Sequence, residues 1–302
     1  MSSPLCFAPL TNIMASIHVH GPDAEKFLQG QFSNDLCKLP MGQAQWSSYS
    51  TAKGRMIANF LIWRDKEAFR LILAADMVEE TVARLNKYRL MAKVEIQAQE
   101  PGAGLWALWG DEAELQPLHS RETPLGLQLR LPWPENVSLL FATEDPRPAL
   151  QARNGLQWEP EHWWLSAIGA GTAFITKASS EQIIPQELNL EVLGGISFQK
   201  GCYPGQEIVA RSHYLGQLKR QCYRIYCEQS LSPGDQLFCS SMGEQAVGLI
   251  VNVAPENQAF TALAVIRASN AKEELHVHSD NGPLVRLGEL PYPLPLEHPK
   301  GG

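Results

Sequence analysis

Residues 194–211 read Gly-Gly-Ile-Ser-Phe-Gln-Lys-Gly-Cys-Tyr-Pro-Gly-Gln-Glu-Ile-Val-Ala-Arg, and no other stretch constrains the backbone as strongly. Glycines stand at 194, 195, 201 and 205. Such a concentration marks tight turns or close backbone approach. Between the last two glycines lies one thiol, Cys202, two residues after Lys200. Pro204 suits the first helical position, where its missing N–H would be unpaired anyway. Gln206 can reach back to the chain entering that helix. The spacing therefore predicts a helix with Cys202 about one residue outside its N-terminus. Free amides and the dipole end favour negative charge there, and the Lys200 ammonium adds to the effect. A cysteine so placed is an exposed nucleophile or soft-metal ligand. The alternative is structural: a lone cysteine is commonly a small buried apolar residue, and the glycines then only shape a turn. These residues alone leave both open.

Lys200-Gly201-Cys202-Tyr203 followed by Gly205-Gln206-Glu207 resembles the K-G-C-Y-x-G-Q-E signature of the YgfZ family. Flanking stretches extend the resemblance over most of the chain. They are residues 21–31 (Gly-Pro-Asp-Ala-Glu-Lys-Phe-Leu-Gln-Gly-Gln), Ala52-Lys53-Gly54-Arg55-Met56, Lys87-Tyr88 with Lys93-Val94, Ile184-Pro185-Gln186-Glu187, and Lys219-Arg220. The resemblance implies a folate-binding protein that assists assembly or repair of iron–sulfur enzymes, including those that thiolate tRNA. It implies kinship with the aminomethyltransferase, or T-protein, of the glycine cleavage system. The implied fold is α+β: mixed antiparallel sheets and helices with a small C-terminal β-barrel. A T-protein-like region would cover 1–218, with two interleaved subdomains, the second at about 45–100. The barrel would cover 219–302. Tetrahydrofolate or a derivative is the implied ligand, and iron–sulfur enzymes or assembly proteins are the implied partners of a monomer. Carried onto this sequence, Cys202 is the redox-active or cluster-contacting group and Lys200 holds its thiolate. Gly201 and Gly205 shape the turn and, with Trp163, Tyr203, Gln206, Glu207 and Arg211, form the folate side.

Departures from the pattern bear on activity. T-protein-like enzymes carry an acidic residue on the strand after the Lys53-Gly54 turn, where this chain has Ala58-Asn59. An amide cannot take up a proton as a carboxylate can. Relatives carry a glutamate able to pair with the pterin where this chain has Gly169, and a tryptophan where it has Met14. The competing readings are a tetrahydrofolate-dependent aminomethyltransferase and a scaffold with an empty folate-like cleft.

Charge and cysteine usage narrow the class. The formal charge of −7 opposes direct nucleic-acid binding, which usually shows a basic excess. The local basic cluster Lys200, Arg211, Lys219, Arg220 and Arg224 reads either as a polyanion site, such as for a polyglutamated folate tail, or as scattered solvated charge. The cysteines at 6, 37, 202, 222, 227 and 239 include no C-x-x-C. Neither a structural zinc site nor a cluster held by this chain alone is expected. Cys222, Cys227 and Cys239 read as sheet or core residues. His18/His20 and His276/His278 each share one side of a strand and read as satisfied or surface histidines. No apolar run approaches the ~18 residues that span a bilayer. The N-terminus lacks a basic start and apolar core, so the chain is read as cytoplasmic.

Hydrophobic periodicity predicts strands over 13–20, 45–50, 55–63, 68–75 and 92–98. It predicts helices after Asp23, over 76–90 and over 160–171. Val78, Val82, Leu85 and Leu90 would form the apolar stripe of the second helix. Residues 99–104 and 131–136 read as loops. Trp163 and Trp164 would sit on the helix over 160–171. The last 80 or so residues read as short strands broken by turns, hence a barrel.

Overall fold

The computed structural model describes residues 4–65, 68–98, 104–110, 115–214 and 218–294. In chain order its first elements are β1 (Cys6–Pro9), β2 (Met14–His20), α1 (Ala24–Gln29), β3 (Ala44–Ser50), β4 (Met56–Asp65), β5 (Ala68–Ala74), α2 (Val78–Tyr88) and β6 (Glu95–Ala98). There follow β7 (Leu105–Trp109), β8 (Ser120–Thr123), β9 (Gly126–Arg130), β10 (Val137–Ala142), α3 (Arg147–Ala152), β11 (Leu156–Gln157) and α4 (His162–Gly169). The last are α5 (Gln206–Tyr214), β12 (Arg220–Cys227), β13 (Gln236–Phe238), β14 (Gly248–Glu256), β15 (Ala259–Arg267), β16 (Leu275–Val277) and β17 (Leu284–Gly288).

The chain forms two compact units, each drawn from several stretches. One is Met1–Gln29, Asp35–Gln45 and Phe60–Ser166; the other is Gly30–Asn34, Trp46–Asn59 and Ala167–Gly302. The barrel begins at Arg220, yet it belongs to the same compact unit as residues 167–219.

The five-stranded sheet has the order β3-β4-β5-β2-β6. Its β4 is buried from Met56 to Trp63, as suits an interior strand with a continuous apolar run. On β5 Phe69, Leu71 and Leu73 share one buried face, and Ile72 is buried on the other side as well. The helix over 76–90 ends earlier than its periodicity predicts. Val78 and Leu85 are buried, but α2 stops at Tyr88 and Leu90 lies beyond it, at φ +43° and 88% exposed.

The six-stranded sheet, β11-β1-β7-β10-β9-β8, was not predicted from the sequence. Its central strands read Leu-Trp-Ala-Leu-Trp and Val-Ser-Leu-Leu-Phe-Ala, with almost every residue buried. Burial on both faces removes the alternation that marks a strand.

The closed barrel runs β12-β15-β14-β13-β16-β17. Ile225, Leu237, Ile250, Ala262, Ala264 and Ile266 fill it, with Cys227 and Cys239. Burial raises the Cys222 thiol to about 12, which keeps it protonated and unreactive. The overall class is α+β, with mixed antiparallel sheets and a small C-terminal barrel. No helix among the described residues is long and apolar enough to cross a membrane.

Candidate functional site

The glycine-rich segment is built onto a polar turn at Phe32-Ser33-Asn34. The Ser33 hydroxyl donates to the Gly195 carbonyl at 2.8 Å and accepts from the Ser48 amide at 2.9 Å. The Asn34 amide group donates to the carbonyls of Trp46 and Gly194, both at 2.8 Å. The Ser197 amide donates to the Ser33 carbonyl at 2.9 Å. Lys200 Nζ donates to the carbonyls of Phe32 at 2.5 Å and Asn34 at 3.0 Å. Phe32 itself bridges to Tyr49 on β3. These contacts tie residues 194–200 to 32–34 and β3.

The other end of the signature rests on the β3–β4 turn. That turn is closed by the Gly54 amide on the Thr51 carbonyl at 2.9 Å, and Gly205 lies against it. Gly205 has φ +81°, and a Cβ there would meet the Gly54 Cα and the Thr51 oxygen at 2.6 Å. Both the conformation and the contact require glycine. Nearby, Glu187 sits in a 3-10 turn at Pro185–Leu188, accepts from the Ile184 amide at 3.0 Å and accepts from Nε and Nη2 of Arg220, each at 2.8 Å.

Between these anchors stand Gly201 and Cys202, both exposed, with Lys200 and Tyr203 buried on either side. Of the six cysteines only Cys37 and Cys202 are exposed. Two structural features bear on the thiol. First, Lys200 is 8% exposed, and its amine bonds to backbone carbonyls and lies 5.1 Å above the Tyr203 ring. It is placed as a strut for the loop. Second, the helix starts at Gln206, not Pro204, because the positive φ of Gly205 interrupts a right-handed helix. Cys202 precedes the first helical residue by four positions.

The residues expected on the folate side differ in exposure. Trp163 is 1% exposed and packs on Trp133 with ring centroids 4.7 Å apart, so it is a core residue and offers no open face to a pterin. Tyr203 is 7% exposed, and burial raises its phenol to about 12. Glu207 and Arg211 are exposed on α5, and Gln206 is half-buried. A Cβ at Gly169 would meet no atom within 4 Å, nor would one at Gly201. The basic cluster is largely engaged within the fold: Arg220 on Glu187, Arg224 on Glu256 at 3.3 Å, Lys200 on carbonyls. Arg211 and Lys219 remain exposed.

Comparison with known proteins places this geometry. Residues 11–122 match the GCVT N-terminal domain model. The chain is 31% identical to the tRNA-modifying protein YgfZ of Sodalis glossinidius (strain morsitans), over 96% of this chain and 95% of that protein. It is 31% identical to the tRNA-modifying protein YgfZ of Klebsiella pneumoniae (strain 342), over 91% and 90%. The chain belongs to the YgfZ family. The crystal structure of the glycine cleavage system aminomethyltransferase T from Bartonella henselae superposes with a TM-score of 0.73. It covers 97% of this chain and 87% of that one, at 16% identity, and so shares the fold.

Within this YgfZ family member, Asn59 on β4 is a structural clasp. Asn59 is 1% exposed. Its Nδ2 donates to the Ala173 carbonyl and its Oδ1 accepts from the Ile175 amide, both at 2.7 Å. Asn252 holds Phe174 between them, accepting from its amide at 2.8 Å and donating to its carbonyl at 3.0 Å. Sequence reasoning missed Ser33, Asn34 and Asn252. The first two lie just after Gly30 and could have signalled a polar turn; Asn252 lies inside an apolar strand and gave no such signal. The histidine pairs carry no metal set, since no cluster of three or more His, Cys, Asp or Glu occurs among the described residues. His18 is lowered by burial, then by Arg70 and His20. His278 pairs with Asp235 at 3.4 Å.

Proposed function

We propose that the protein is a folate-binding accessory factor that supports assembly or repair of iron–sulfur enzymes, tRNA-modifying ones included, with Cys202 as the group that meets the client. The observation that carries the reading is the exposed Gly201–Cys202 step between two buried anchors. A thiol with little packing of its own, held on a fixed loop, suits contact with a metal-bound sulfur or a thiol on another protein. The name of these relatives, tRNA-modifying protein, fits a client that modifies tRNA. Catalysis by the aminomethyltransferase route is not supported, because both ends of Asn59 are committed to backbone and no carboxylate stands there.

Folate enters through the fold. The side chains do not match the expected pterin site: Gly169 brings no carboxylate, and Trp163 is buried on Trp133. A Cβ at Gly169 would meet no atom within 4 Å, and the position supplies no group to pair with a pterin. No chemical step is assigned to folate, and its binding is expected to be weak.

Cys202→Ser tests the reading. The variant should fold with stability within about 0.5 kcal/mol of the parent, as exposed substitutions do. It should fail to restore iron–sulfur enzyme activity in cells lacking this protein, most clearly under oxidative stress. Full restoration by the serine variant would sink the proposal. A calorimetric titration with tetrahydrofolate tests the ligand: no heat at millimolar concentration would leave the empty-cleft scaffold.

A further inference from the structure

We infer that Lys200 is the positioning residue for Cys202, fixing the inner end of a two-residue blister rather than serving as the counterion of the thiol. The inference deepens the reading of Cys202 as the working group and rests on it.

Exposure along the signature changes abruptly. Lys200 is buried, Gly201 and Cys202 are exposed, Tyr203 is buried, and Gly205 is buried against Gly54. A loop of this shape needs a fixed point on each side. Gly205 supplies the outer one through close backbone contact. Lys200 supplies the inner one through Nζ, which reaches the Phe32 and Asn34 carbonyls from a residue 166 to 168 positions away in sequence. An ammonium is a compact point donor with rotatable N–H groups, so it can serve two carbonyls converging on one spot. The Tyr203 ring lies beneath the same amine, which couples the anchor to the residue just after the thiol. Gly201 is not demanded by space, since a Cβ there meets nothing within 4 Å. Fixing therefore falls to its neighbours.

The test uses the full chain with Cys37→Ser, which leaves Cys202 as the exposed thiol. Lys200→Met and Lys200→Arg are compared by amide hydrogen exchange and by the iodoacetamide rate at Cys202 from pH 6 to 9.5. Loss of the strut in Lys200→Met should raise exchange at 32–34 and 200–203 at least tenfold. It should also change the plateau alkylation rate several-fold, with the pH profile keeping the midpoint of the parent. Lys200→Arg keeps the charge but carries a planar fork that does not converge on one point. It should also raise exchange, to a smaller extent, so it carries the same test if the methionine variant does not fold. A midpoint shifted a unit or more upward in Lys200→Met, with exchange unchanged, would establish the counterion instead. Parent-like exchange and alkylation in both variants would overturn the inference as well. None of these readouts depends on iron–sulfur activity or on folate, whereas the proposed function is tested by the Cys202→Ser complementation and the folate titration.

Discussion

Asn59→Asp changes one atom type, yet the structure assigns it a large and pH-dependent cost. The Asn59 Nδ2 donor faces the Ala173 carbonyl at 2.7 Å in a site 1% exposed. An ionised aspartate puts an oxygen there, so two acceptors confront each other without water. The lost hydrogen bond is worth about 1 kcal/mol, and the orphaned carbonyl costs a further ~1–3 kcal/mol. A buried carboxylate without a cationic partner adds to this, bringing the total at neutral pH to roughly 3–5 kcal/mol. The bond from the Ile175 amide to the other oxygen is retained and offsets part of the desolvation.

The sign with pH follows from the same geometry. An unfolded aspartate titrates near ~3.9. In the fold, burial and the Ala173 oxygen both oppose ionisation and raise its pKa. A raised folded value means that stability is fully present below the unfolded value and is lost as pH rises through the folded one. The protonated acid of the variant could donate to Ala173 and accept from Ile175, as Asn59 does. Urea unfolding of parent and Asn59→Asp should therefore differ by roughly 3–5 kcal/mol at pH 7.5 and by under about 1 kcal/mol near pH 4. Asn59→Ala, which cannot titrate, serves as the control, with a deficit that does not vary with pH. Exchange of the Ile175 amide reports the clasp locally. Equal stability at pH 7.5, or an aspartate deficit unchanged between pH 4 and 8, would refute the clasp. Neither parent nor Asn59→Asp should transfer an aminomethyl group to tetrahydrofolate.

The two glycines flanking the thiol should behave oppositely. Gly205→Ala forces a Cβ to within 2.6 Å of Gly54 at φ +81°, and should cost at least ~1–3 kcal/mol in a thermal melt. Gly201→Ala should stay within about 0.5 kcal/mol, because the added methyl meets open space; a comparable loss at both positions would contradict the anchoring scheme. Trp163→Phe should lower stability by about 1–3 kcal/mol through lost packing on Trp133, while leaving any folate titration unchanged. A selective loss of folate binding with unchanged stability would return Trp163 to the ligand.

Much of the fold was legible where periodicity is clean. The β3–β4 hairpin, α2 and the barrel followed from alternation, helical spacing and turn residues. The sheet over β7–β11 was not, because strands buried on both faces read as unpatterned apolar runs. Leu90 continued a helical stripe in sequence yet left the helix at a left-handed residue, since spacing alone does not encode where a helix stops. At the site, neither the exposure of Cys202 nor the burial of Lys200 and Trp163 followed from the neighbouring residues. A lysine beside a cysteine and a tryptophan on a helix fit a functional pattern and a structural one equally well until burial is known.

The reason lies in what the site is made of. Lys200, Asn34, Asn59 and Asn252 all direct side-chain polar atoms at main-chain groups. Every residue other than proline offers the same N–H and C=O, so such bonds leave no complementary pair of side chains to recognise. Only the donor's identity is visible, and its partner is set by how distant segments meet. The resulting site has a definite chemical asymmetry. Its polar side chains are largely consumed in holding backbone, which leaves few of them to ionise, orient or activate a substrate. The side chain at the tip of the loop is the Cys202 thiol. Under the proposed function such a surface presents one sulfur to another macromolecule, whereas an aminomethyltransferase must carry its substrate through proton transfers.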